Sequence, residues 1–146
     1  MSVPITVRPM TKADLGAAEA LCETLDYAPS PDDLRSHYES MADSSEHSLM
    51  IAELGGRVVG FVHVFIKRML EDAPQAQVQA IATLPDVQGQ GVGSRLLAAA
   101  EDWARARGIG AVTIYCAEYR DDTHDFYAAR GYDLTVRSSR FQKRLD

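Results

Sequence analysis

A chain of 146 residues, 46% hydrophobic, is long enough to bury one sizeable core and short enough to be one domain. A net charge of −6 with no basic patch argues against a nucleic-acid partner, and no run of 18 apolar residues offers a membrane span. Met1 to Met10 lacks an apolar signal core, so the expected compartment is the cytoplasm. The charge is uneven: residues 1–72 hold 12 acids and 6 bases, residues 73–146 hold 9 of each. Such an acidic half is compatible with a cationic small-molecule partner and equally with a merely solvated face.

In chain order, Val3 to Arg8 alternates and reads as a short strand ended by Pro9. Thr11-Lys-Ala-Asp14 is a capping box ahead of a helix whose apolar face is Leu15, Ala18, Leu21, Cys22 and Leu25. Tyr27-Ala-Pro29 breaks that helix. Ser30-Pro31-Asp32-Asp33 opens a second one with a cap residue, a proline at its first position and an acid at its third. Ser48–Leu54 and Arg57–Ile66 are strands joined by Gly55-Gly56, a two-residue hairpin turn. Met69–Ala76 reads as a polar loop, followed by a mostly buried strand over 77–84.

Next comes Val87-Gln88-Gly89-Gln90-Gly91-Val92-Gly93-Ser94, three glycines in five residues. Val92, Leu96, Leu97, Ala100, Trp103 and Ala104 then recur at helical spacing, out to about Arg107, with Gly108 as the C-terminal cap. Strand, glycine loop and helix together place unsatisfied N–H groups and the positive end of a helix dipole at one point, which suits a phosphate. No Gly-Lys-Ser/Thr follows the loop, so the triphosphate pattern fails. Ser94 stands where a dinucleotide motif needs its third glycine.

Ala111–Cys116 reads as another strand. Asp121 or Asp122 caps a last helix holding Phe126 and Tyr127 and ending at Gly131. The tail, Tyr132–Leu145, has room for two short strands meeting near Ser138-Ser139. Cys22 and Cys116 fall in apolar-periodic stretches and read as core residues. The four histidines are too scattered in sequence to suggest a metal site.

The resulting order, β-α-α-β-β-β-α-β-α-β with room for one strand more, carries two motifs. Gln88, Gly91 and Gly93 match Arg/Gln-x-x-Gly-x-Gly/Ala, and Phe126-Tyr127 precedes a Gly131-Tyr132 pair. On these residues the chain resembles the GNAT family of N-acetyltransferases over nearly its whole length. The resemblance implies a single α/β (α+β) domain over residues 1–146, with a mixed, mainly antiparallel sheet of six or seven strands and four helices. It implies acetyl-CoA as cosubstrate, its pantetheine arm paired with the backbone of Ile81, Ala82 and Thr83. The pyrophosphate then falls on Gln88, Gly89, Gln90, Gly91, Val92, Gly93 and Ser94, with the Ser94 hydroxyl an added donor.

Transfer of acetyl from sulfur to nitrogen needs a neutral amine, an anchored thioester carbonyl and a proton for the departing thiolate. By resemblance Tyr127 is the general acid; the alternative is a core tyrosine of the last helix. A backbone amide near Ile81 is the oxyanion donor. The base is where this chain departs from the family pattern. Gln77 and Gln79 stand where many relatives carry carboxylates, and Tyr115 stands where others carry Glu. Glu118, a water chain or an amine arriving neutral remain open. Arg120 occupies a position usually held by Asn and is expected to meet a CoA phosphate. His124 is either catalytic or a surface helix residue.

The expected acceptor is a primary amine of a small molecule or peptide, entering between the two N-terminal helices and the loop 69–76, where Glu71 and Asp72 can hold a cation. A homodimer is an open alternative. The competing functional class is a non-catalytic acyl-CoA-binding module.

Overall fold

Two glycines at positive φ, Gly55 at +62° and Gly56 at +80°, turn β2 (His47–Leu54) back on β3 (Arg57–Lys67). This mirror-image turn has the twist that a two-residue hairpin requires. The structure, a computed structural model, describes residues 3–116 and 121–146. Contacts divide the chain into two compact units, one running to Ile114 and the other from Tyr115.

In the first unit β1 (Ile5–Pro9) pairs antiparallel with β2, and β3 pairs antiparallel with β4 (Gln75–Thr83). β5 (Val112–Ile114) pairs parallel with β4, giving the order β1-β2-β3-β4-β5. Pro9 is tolerated at the end of β1 because β1 is an edge strand. β4 begins earlier than its polar surroundings predict: Ala76 is fully buried, and its N–H donates to Ala111 O at 3.0 Å.

Helices cover both faces of the sheet. On one, α1 (Leu15–Glu23) and α2 (Pro31–Met41) pack over Ile51, Phe61 and Ala82 through Ala18, Leu21, Leu34 and Tyr38. The capping box forms: Thr11 N–H donates to Asp14 Oδ2 at 2.7 Å, and Asp14 also receives both outer nitrogens of Arg8. Ser30 Oγ accepts from the Asp33 N–H at 3.1 Å.

On the other face lies α3 (Val92–Ala106), with Val92, Leu96, Leu97, Ala100 and Ala104 buried. A Cβ on Gly60 of β3 would stand 2.9 Å from Leu96 Cδ1 and 3.1 Å from Val92 Cγ1. Gly60 therefore sets how closely α3 approaches the sheet. At its far end Gly108, at φ +72°, donates to Arg105 O, and Ile109 N–H donates to Ala104 O, a Schellman cap.

The second unit contains α4 (Asp121–Ala128). Among its described residues the tail 132–146 forms no strand, so the sheet has five strands where the sequence pattern predicts six or seven. Leu134 and Val136 alternate as strand residues do, but a strand also needs a partner ladder, and none forms among the described residues. Cys22 is half-buried against the α1 core, whereas Cys116, expected in a core, is exposed, because β5 ends two residues before it. No described helix is long and apolar enough to cross a membrane.

Candidate active site

The β4–β5 ladder is short. It joins Ala76, Gln77 and Val78 to Val112, Thr113 and Ile114, and among the described residues it stops there. β4 continues for five residues beyond Val78, and four of them, Ala80 to Thr83, stay paired with β3 on its other side. The β3–β4 register shifts between His63 and Val64, leaving Gln79 as the extra residue of a bulge.

Past the bulge the backbone direction of each residue follows from one bond. Leu84 N–H donates to Val59 O at 2.9 Å, so Leu84 faces β3. Period-two alternation then commits Ala82 to β3 and turns the N–H and C=O groups of Ile81 and Thr83 to the opposite, open side. Of the three residues expected to pair with an extended ligand, two are so disposed and Ala82 is not.

A turn of 3-10 helix, Pro85–Val87, carries the chain from β4 to the glycine loop, and Arg57 pins it by pairing with Asp86 at 2.8 Å. Gln88 Nε2 donates to Thr83 Oγ1 at 3.1 Å, tying the first signature residue to the open strand edge. Gly89 and Gly91 lie at φ +80° and +87°, and an added Cβ on either would meet nothing within 4 Å. Backbone conformation alone therefore demands glycine at both. Gly93 lies inside α3 with ordinary helical geometry, so its missing side chain is not required by φ.

The first bond of α3 runs from Arg95 N–H to Gly91 O at 3.1 Å. The N–H groups of Val92 and Gly93 precede that ladder and point out of the helix end, where the dipole places about half a positive charge. Gln90 is exposed beside them, with its own N–H turned back to Val87 O at 3.3 Å. Open amides, an open cradle and a positive helix end fit a pyrophosphate joined to an extended arm.

Gln77 and Gln79 lie on the α1-facing side of β4, where Gln77 Nε2 donates to Gln79 Oε1 at 3.2 Å. Neither amide can take a proton. The same face carries a pair that sequence spacing conceals: His47 Nδ1 lies 2.9 Å from His63 Nε2, with the rings stacked at 5.2 Å and Phe65 stacked on His47 at 5.4 Å.

In the second unit Tyr127 is half-buried on α4, edge-on to Phe126 at 5.4 Å and to Tyr132 at 5.9 Å. Burial first, and then the field of the Cys116 thiolate, push its hydroxyl up to about 12, so the phenol keeps its proton. His124 is half-buried on the same helix, and Tyr115 is exposed. Arg120 and Glu118 lie outside the described residues. Asp72 makes a local bond, its Oδ1 accepting from Ala73 N–H.

A strand edge that opens beside a glycine-capped helix suits an extended ligand that carries phosphate. Residues 15–132 match the Acetyltransferase (GNAT) family. An aminoalkylphosphonate N-acetyltransferase of Salmonella typhimurium is 32% identical over 115 residues, covering 78% of this chain and 72% of that protein. An aminoglycoside N(6')-acetyltransferase type 1 of Stenotrophomonas maltophilia is 29% identical, covering 97% and 94%. In fold the chain is similar to aminoglycoside N-acetyltransferase AAC(6')-Iy in complex with CoA, with a TM-score of 0.88 at 21% identity over 99% of this chain and 98% of that one. The chain belongs to the GNAT acetyltransferase family. It is an enzyme that transfers an acetyl group from acetyl-CoA to an amine.

Proposed function

We propose that the acceptor is a small-molecule amine bearing further polar groups, and that the whole reaction is organised by the open edge of β4. The observation that carries this reading is the end of the β4–β5 ladder at Val78 and Ile114, just ahead of Ile81 and Thr83 and the glycine loop. In this reading Ile81 and Thr83 pair with the pantetheine arm, and the Ile81 N–H polarises the thioester carbonyl. Gly89, Gly91, Val92, Gly93 and Ser94 hold the pyrophosphate, Gln88 braces the loop against Thr83, and Arg120 meets a CoA phosphate. Tyr127 gives its proton to the departing sulfur.

A small acceptor is supported by the similarity to enzymes named for aminoalkylphosphonates and aminoglycosides. CoA release, measured with amino sugars, aminoalkylphosphonates, polyamines, amino acids and peptides, tests the proposal. Turnover is expected with hydroxylated or phosphonated small amines. Turnover of peptides alone, or of none of the hydroxylated or phosphonated amines, would overturn the acceptor class.

A further inference from the structure

The reaction centre proposed above lacks a carboxylate base on β4, yet the adjacent strands bring two imidazoles together. His63 is the register partner of Ala80, the residue beside Ile81, and neighbouring strands run about 4.8 Å apart. Its side chain shares the α1-facing side of the sheet with Gln77 and Gln79, the face opposite α3. We propose that His63 takes the proton from the acceptor ammonium and that His47 relays it to water.

The hydrogen bond between the rings fixes which atoms can act. His47 Nδ1 and His63 Nε2 face each other at 2.9 Å, so one of them carries the proton between them. With that proton on His63 Nε2, its Nδ1 presents a lone pair. That atom receives a proton from the acceptor nitrogen as the Nε2 proton crosses to His47 Nδ1, and His47 Nε2 releases its own proton to solvent. The nitrogen lone pair so uncovered forms the bond to the thioester carbon, and the carbon–sulfur bond breaks. Of the two protons the nitrogen loses, one leaves through the rings. The other is lost once the carbon–nitrogen bond has formed and passes through water to the Tyr127 phenolate, restoring the proton that Tyr127 gave to sulfur.

The surroundings favour a relay over a single base. On this face β2 contributes His47 and Leu49, β4 contributes the neutral Gln77, Gln79 and Ala80, and β3 itself contributes Phe65. From the helices come the Cys22 thiol, pushed up by burial, and the Tyr38 hydroxyl, which donates to Met10 O. Burial, and then the charge of His47, hold His63 down to about 4. Such a ring is a poor resting place for a proton, and a second ring in contact gives the proton somewhere to go.

The test is the pH dependence of kcat/KM for an alkylamine. Such an amine has a pKa of about 10.4, so without a base kcat/KM climbs about tenfold per pH unit towards that value. With the relay, the native enzyme should plateau two or more units lower. His63→Phe, which preserves ring packing, should abolish the plateau and lower kcat/KM at pH 7 by about 10²-fold or more. His47→Phe should lower the plateau. Acetyl-CoA should raise the Tm of both variants as it does that of the native protein, which separates loss of the relay from loss of the cosubstrate site. If His63→Phe is not stabilised in this way, His47→Phe decides alone. A tenfold rise per pH unit in the native enzyme, or a plateau unchanged in a stabilised variant, would overturn the relay.

Discussion

The Tyr132 N–H donates to the carbonyl of Tyr127 at 3.1 Å, and the two rings meet edge to face with centroids 5.9 Å apart. Gly131 makes this possible: at φ +88° it closes α4 in a Schellman cap, and the ring contact is the apolar contact that accompanies such a cap. The Phe-Tyr and Gly-Tyr pairs of the sequence are thus one device for fixing the Tyr127 ring.

Tyr127→Phe removes the hydroxyl and leaves both ring contacts. The kcat of acetyl transfer should fall about 10²-fold with little change in KM for acetyl-CoA, as steady-state CoA release will show. Gly131→Ala should leave the hydroxyl in place yet cost about 1 kcal/mol of stability, the penalty for a left-handed alanine, in denaturant unfolding. Unchanged kcat in Tyr127→Phe, with chemistry limiting the rate, would return Tyr127 to a packing role.

Two of the loop glycines, Gly91 and Gly93, should separate by mechanism. Gly91→Ala forces a side chain onto φ +87° and should destabilise the protein by about 1 kcal/mol. Gly93→Ala replaces a helical glycine and should stabilise the ligand-free protein by up to about 1 kcal/mol. It should nonetheless weaken acetyl-CoA binding if, as proposed, the Gly93 amide faces the pyrophosphate. Thermal unfolding with and without acetyl-CoA reads both effects. Full retention of ligand stabilisation in Gly93→Ala would remove Gly93 from the site.

Asp14 predicts an acid limb of stability. It is 5% exposed and holds both outer nitrogens of Arg8, at 2.8 and 2.9 Å. The Arg8 guanidinium, with the Thr11 N–H and hydroxyl, outweighs the opposing effect of burial and brings the Asp14 carboxyl from the ordinary 3.8 to about 2. A depressed carboxylate contributes stability that is full above its unfolded pKa and is lost as pH falls through its folded one. The contribution, about 2 kcal/mol, should therefore be present above pH 4 and disappear towards pH 2. Asp14→Asn should be less stable by about that amount at pH 6, with the difference shrinking towards pH 2. A difference independent of pH would mean that shape, not charge, holds the Arg8 contact.

Most of the strand, glycine loop and helix around the open edge of β4 was legible in the sequence, because glycines, caps and apolar spacing are local signals. Gly89 and Gly91 announce a turn, Val92 to Ala104 announce a buried helix face, and Gly55-Gly56 announces the hairpin. The histidine pair was not legible. Continuing the pairing of the hairpin turn would set His63 opposite Ser48 and place His47 on the other face of the sheet. A register shift between Ala52 and Glu53 leaves Val59 unpaired and brings His47, Leu49, His63 and Phe65 onto one side. Nothing in the local sequence marks that bulge. Gly60 is silent in the sequence for a related reason: its demand comes from Leu96 and Val92, more than thirty residues away in the chain.

The most direct test of the account is residue-resolved amide hydrogen exchange in the native protein with and without acetyl-CoA. Ile81 and Thr83, with N–H groups turned away from β3, and Gly91, Val92 and Gly93 at the mouth of α3 should show the largest slowing. Ala82 and Leu84, already bonded to β3, should change least. Equal exchange at Ile81, Thr83 and Gly93 with and without saturating acetyl-CoA would contradict the placement of the cosubstrate along the open edge of β4.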